Sequence, residues 1–113
     1  MGETAVMRRI MLAMSGAATV FRNNIGARKI EDGTYLRYGV GGAGGSDLLG
    51  WKSVVVTPAM VGRKVALFVA IEVKSDEGRT TPEQDHFLSV VAGAGGLSGV
   101  ARSVEEAMGI IAC

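Results

Sequence analysis

Four stretches of this chain predict a layered α/β domain. Val65-Ala66-Leu67-Phe68-Val69-Ala70-Ile71 is unbroken apolar sequence, the pattern of a strand covered on both faces. Thr81-Pro82-Glu83-Gln84 and Ser103-Val104-Glu105-Glu106 each place a capping hydroxyl three residues before an acid or amide, which marks a helix start. Near the N-terminus, Val6, Ile10 and Ala13 form an i, i+4, i+7 row with Met7, Met11 and Met14 beside it, predicting a helix over 3–19. With the strands between them, these elements give the order α-β-β-β-α-β-α around one packed sheet.

The chain in order supports that reading. Glu3 falls in the first helical turn, where a carboxylate suits the helix dipole. Phe21-Arg22-Asn23-Asn24-Ile25-Gly26 ends the helix in turn-forming residues; Arg22, Asn23 and Asn24 could also reach phosphates. Glu31-Asp32-Gly33 is a turn signal, and Thr34 to Tyr38 follows as a strand. Gly39, Gly41 and Gly44 then spell G-x-G-x-x-G, the dinucleotide fingerprint. That motif requires a helix directly after it. Here Asp47 to Trp51 and Ser53 to Thr57 read as strand, so no nucleotide cofactor is expected. The glycines would instead let backbone approach a bulky polyanion closely.

Thr57-Pro58 closes this strand, and Gly62-Arg63-Lys64 leads into the central one, the two pairing antiparallel. Such a hairpin would bring Asp47 and Glu72 to one end of the sheet. Phe87, Val90, Val91 and Ala94 supply the apolar face of the next helix. His86, the lone histidine, lies off the Gln84–Phe87 row and reads as a solvated helix residue rather than a general base. Gly93 to Gly96 ends the helix, Leu97 to Ala101 is a last strand, and Val104 to Ile111 a final helix. No linker or internal repeat interrupts residues 1–113, which read as a single domain.

Composition narrows the classes. A hydrophobic content of 48% with 20% charged residues fits a folded chain rather than a disordered one. Twelve basic and eleven acidic residues give a formal charge of +1, which neither demands nor excludes nucleic acid. Arg8-Arg9 before Ile10-Met11-Leu12 has the look of a short signal peptide, but the helix accounts for it. Met1-Gly2 lacks the Ser or Thr that myristoylation needs, because position 6 is Val. No run is long enough to span a bilayer, and the single cysteine, Cys113, has no intrachain partner. A cytoplasmic protein is expected.

Chemistry concentrates where the central run ends. Side chains alternate along a strand, so Glu72 and Lys74 project from one face while Val73 points from the other. Two carboxylates, Asp47 and Glu72, supply hard oxygen ligands for Mg²⁺ or Mn²⁺, and the Val73 carbonyl can add a third. Such an ion stabilises charge on a scissile phosphate and acidifies water, which Lys74 could orient. Gln84 is explained completely by its capping box, and equally well by a place in this site.

Asp47, Glu72 and Lys74 form the pattern Asp-(x)n-(Asp/Glu)-x-Lys, which resembles the PD-(D/E)XK nuclease superfamily. Gly45-Ser46-Asp47-Leu48-Leu49-Gly50, Glu72-Val73-Lys74-Ser75 and Thr80-Thr81-Pro82-Glu83-Gln84 are similar to the three blocks of its VRR-NUC (virus-type replication-repair nuclease) branch. Ser46 departs from the Pro of the superfamily name but suits that branch. The resemblance spans almost the whole chain. It implies a restriction-endonuclease-like core of order α-β-β-β-α-β plus a C-terminal helix, with a mixed central sheet flanked by helices. It also implies metal ligands at Asp47, Glu72 and Val73, a catalytic Lys74, an assisting Gln84, and Glu3 completing the acidic pocket. Arg22, Asn23, Asn24, Ser46, Lys52, Arg79 and Thr80 are then the candidates for contact with DNA.

The activity implied is structure-specific cleavage of branched DNA, as a homodimeric Holliday-junction resolvase. A flap nuclease and a non-catalytic DNA-binding module are the alternatives. The methionine-rich first helix is the expected subunit contact, since symmetric cutting of a four-way junction needs two sites related by a two-fold axis.

Overall fold

Glycine and β-branched residues divide the chain differently from the apolar pattern alone. In the computed structural model, which describes residues 2–112, there are three helices and six short strands. They fall into two compact units, Met1–Lys52 and Ser53–Cys113. Cys113 lies outside the described residues.

In the first unit, α1 (Glu3–Met14) stops well short of the expected 19. Gly16 turns the backbone left-handed at φ 88°, and Thr19-Val20-Phe21 then enters a strand. The row of α1 that is partly covered is Met7, Met11 and Met14; Val6 and Ile10 remain exposed. Strand β1 (Thr19–Arg22) pairs antiparallel with β4 (Leu48–Trp51), in the register Thr19↔Trp51 to Arg22↔Leu48. Phe21 and Trp51, diagonal neighbours on that pair, bring their rings to 5.5 Å. Between them in sequence, β2 (Gly26–Lys29) and β3 (Tyr35–Tyr38) form an antiparallel hairpin.

The second unit is a small three-layered βαβα arrangement. Strand β5 (Val69–Val73) pairs in parallel with β6 (Leu97–Ala101) across α2 (Pro82–Gly93), and α3 (Val104–Ile111) follows. Ser98 donates its hydroxyl to the Leu88 carbonyl of α2 at 2.7 Å. At neighbouring Gly99, an added Cβ would press on the Ile110 side chain of α3 at 2.9 Å. Adjacent strand residues face opposite ways, so the two helices cover opposite faces of the sheet. Val91 of α2 and Ala101 of β6 form the buried core, at 1% and 3% exposure.

Two expectations are corrected here. The packed sheet is three two-stranded pieces, not one. Ser53 to Thr57 is not a strand, and its antiparallel ladder with the central run is absent. The turn between those segments does form, with a single 3-10 turn at Pro58–Met60 and Gly62 at φ 85°. However, a strand persists only where its backbone finds a partner. β6 begins at Leu97, two residues after the left-handed Gly95, and gives way to the Ser103 cap of α3. Its five residues set the five of β5; Phe68 adds only its carbonyl, which accepts the Leu97 N–H at 2.8 Å, and Val65 to Leu67 lie beyond its reach. Val54, Val55, Val56, Val65 and Leu67 are consequently exposed rather than covered.

Candidate active site

The second unit assembles its polar groups from the end of β5 and the first turn of α2. Glu72 and Ala70 share the face of β5 that α2 covers, opposite Val100 and Ser98 in the register. At the start of α2, Thr81 caps the helix and Pro82 occupies its first turn. The Gln84 N–H donates to the Thr81 hydroxyl at 3.1 Å, and the Thr81 N–H donates to Gln84 Oε1 at 2.9 Å. With its oxygen held by the cap, the Gln84 amide turns Nε2 toward the strand, where it donates to Glu72 Oε1 at 2.8 Å. One side chain therefore closes the capping box and binds Glu72 at once.

Lys74 completes the group. Its Nζ lies 3.4 Å from the same Glu72 Oε1, with both side chains largely shielded, at 20% and 30% exposure. Partial burial strengthens such a pair relative to one in open water. Two donors thus converge on Oε1, leaving Oε2 as the carboxylate oxygen available to a further ligand. Within neither unit do three His, Cys, Asp or Glu side chains cluster among the described residues.

Beyond Lys74, the loop 75–80 turns back through a hydrogen bond from the Gly78 N–H to the Ser75 carbonyl. Arg102, just past β6, donates Nη2 to the Gly78 carbonyl at 2.8 Å and so ties that loop to the end of the sheet. The sequence reading passed over Arg102; its signal is its place directly after the last strand. Arg79 is exposed and Thr80 half-buried on this loop. Glu106 departs from the expected capping box by one position. Its N–H donates to the Ser103 hydroxyl, but its carboxylate accepts from the Arg102 N–H. His86 is exposed on α2, as expected.

In the first unit, Asn23 closes the glycine loop like a clasp. Nδ2 donates to the Val40 carbonyl at 2.7 Å and the Ser46 carbonyl at 3.0 Å, while Oδ1 accepts from the Val40 N–H at 2.9 Å. Its backbone N–H donates to the Asp47 carbonyl at 2.8 Å. Both amide hydrogens are used, so Asn23 cannot also bind phosphate through them; it positions Ser46 and Asp47 instead. The loop feeds β4 rather than a helix, as the dinucleotide test anticipated.

Arg22 ends β1 opposite Leu48, and Asn24, Ser46, Asp47 and Lys52 are all exposed. Glu3 stands exposed in the first turn of α1, with no hydrogen bond to another candidate among the described residues. Glu72, Lys74 and Gln84 belong to one unit and Asp47 to the other. The ladder expected to join Asp47 to Glu72 is the one that does not form.

The model of the VRR-NUC domain matches residues 13–105. The chain belongs to the VRR-NUC family. Residues from Asp47 through Lys74 to Gln84 all fall inside the matched span, and membership makes the chain a nuclease domain acting on DNA. Comparison with curated proteins and with solved structures gave no match. This VRR-NUC chain is a mixed α/β protein, and no helix among its described residues is long and apolar enough to cross a membrane.

Proposed function

We propose that this VRR-NUC domain is a Mg²⁺- or Mn²⁺-dependent endonuclease that hydrolyses phosphodiester bonds in branched DNA, working in the cytoplasm as a homodimeric four-way-junction resolvase. The observation that carries the reading is the convergence of Lys74 Nζ and Gln84 Nε2 on one oxygen of Glu72. A carboxylate oriented by an amide, with an amine beside it, is an arrangement fitted to phosphoryl chemistry.

The donor set fits a hard divalent cation. Glu72 keeps Oε2 for it, and the proposed further oxygens are the Asp47 carboxylate and the Val73 carbonyl. When bound, such an ion stabilises negative charge on the scissile phosphate. Lys74 holds and orients the attacking water, and can take part in its deprotonation. Gln84 fixes the direction of the Glu72 carboxylate through the same amide that caps α2. Asn23 holds Asp47 at the mouth of the glycine loop. Glu3 is retained as a proposed additional acid on α1. For the dimer, the exposed Val6 and Ile10 offer an apolar row, while the methionines beside them turn inward.

The test compares four-way junction, flap, single-stranded and duplex DNA with Mg²⁺, Mn²⁺ or EDTA, alongside the mass in solution. Glu72→Gln should lower cleavage on the order of a thousandfold, the scale of losing one charge-stabilising group, and Lys74→Ala should act in the same direction. Both should keep junction binding. Cleavage at the parental rate by both variants would refute the assignment.

A further inference from the structure

We propose that the β2–β3 hairpin is an arm that takes up a single-stranded segment of the DNA substrate, with a base stacked on Tyr35 between Lys29 and Arg37. The proposal rests on the nuclease reading and adds a surface to it. The register sets Lys29 opposite Tyr35 and Ala27 opposite Arg37. Those four residues share one face of the ribbon, and Gly26, Arg28, Leu36 and Tyr38 share the other.

The two faces are built differently. On the second, the Tyr38 ring lies across Gly26, where any Cβ would collide with it. On the first, Tyr35 is 66% exposed and stands beside two cations. Among the described residues, no carboxylate pairs with Lys29 or Arg37. The diagonal between those two residues is about 7 Å, short enough for one stretch of sugar–phosphate to meet both.

The hairpin adds no buried residue, being exposed from Ala27 to Lys29 and along all of β3, so packing does not explain it. Nevertheless its tip is fixed. The Ile30 N–H donates to the Thr34 carbonyl at 2.9 Å and the Gly33 N–H to the Ile30 carbonyl at 3.0 Å. Asp32 Oδ1 accepts both the Thr34 N–H at 2.9 Å and its hydroxyl at 2.6 Å. One oxygen of that carboxylate is thus engaged within the turn. An open depression of about 590 Å³ runs along Arg28, Lys29, Ile30, Glu31 and Asp32.

A rigid, exposed ribbon with a ring between two cations matches unpaired DNA. The ring stacks on a base that no complementary strand occupies, and the cations follow the backbone. In a duplex the bases are stacked on one another, and only the cations would find partners.

The experiment uses the full chain in a Glu72→Gln background and measures binding to labelled oligothymidylate and to a blunt duplex over a salt series. Tyr35→Ala should weaken single-strand binding about tenfold and leave duplex binding unchanged, while Tyr35→Phe should bind as its parent. Lys29→Gln with Arg37→Gln should weaken both and reduce the single-strand salt slope by about 1.4, the release expected from two phosphate contacts. Parental binding by Tyr35→Ala and by the double variant overturns the arm. Equal losses on single strand and duplex for Tyr35→Ala overturn the stacking. A Glu72-intact chain that cuts no DNA sinks the nuclease reading itself, whereas cutting with unaltered hairpin variants sinks the arm alone.

Discussion

The second unit is held by packing and the first by polar ties. In Ser53–Cys113, α2 and α3 close over a parallel strand pair, and Val91 and Ala101 lose nearly all contact with water. In Met1–Lys52 no described residue reaches that burial, and the glycine loop keeps its shape through one asparagine side chain. Each unit holds an acidic residue in place, by a different kind of physics. Glu72 inherits its position from a sheet and a capped helix. Asp47 inherits its position from hydrogen bonds across a loop neck.

Three measurements can break or sharpen that contrast. Val91→Ala should cost about 2 kcal/mol, since it empties volume in the only fully buried valine site among the described residues. Val55→Ala, at 87% exposure, should change stability by less than about 0.5 kcal/mol. Denaturant melts of the two variants check this, and equal effects would erase the distinction. Asn23→Ala should cost less, about 1–2 kcal/mol for three solvent-accessible hydrogen bonds. Amide exchange at Val40, whose N–H it frees, should quicken, while Asn24→Ala leaves that amide as it was.

The smallest effect concerns Asp32. The Thr34 hydroxyl, and then the Thr34 N–H, hold its carboxyl below the usual value of 3.8. A folded-state value below the unfolded one means the contribution is fully present above the unfolded pKa. It is lost as pH falls through the folded pKa. Titration of Asp32 by NMR should show the depression in the parental protein and a rise toward 3.8 in Thr34→Ala. An unchanged titration would remove the turn from the account.

What the sequence disclosed follows the same division. The capping box at Thr81 and Gln84 was legible because its partners are three residues apart. The shared face of Glu72 and Lys74 was legible from strand alternation, and the three family blocks from their order. The Asn23 clasp was not legible, because its partners lie 17 and 23 positions away. The valines at 54–56 misled for a related reason. Their β preference is a preference for a neighbour, and no strand partner meets them. β2 escaped notice because Gly26-Ala27-Arg28-Lys29 carries no apolar alternation. The Glu31-Asp32-Gly33 turn was read on one side only, though a turn of that kind joins two strands.

Gln84 binds the opening turn of a helix and the acid of the site with the two ends of one carboxamide. Warming that unravels only that turn would release the acid while the parallel strands remain paired. If Glu72 serves the reaction proposed above, cleavage should therefore fail at a temperature below the one at which the protein melts.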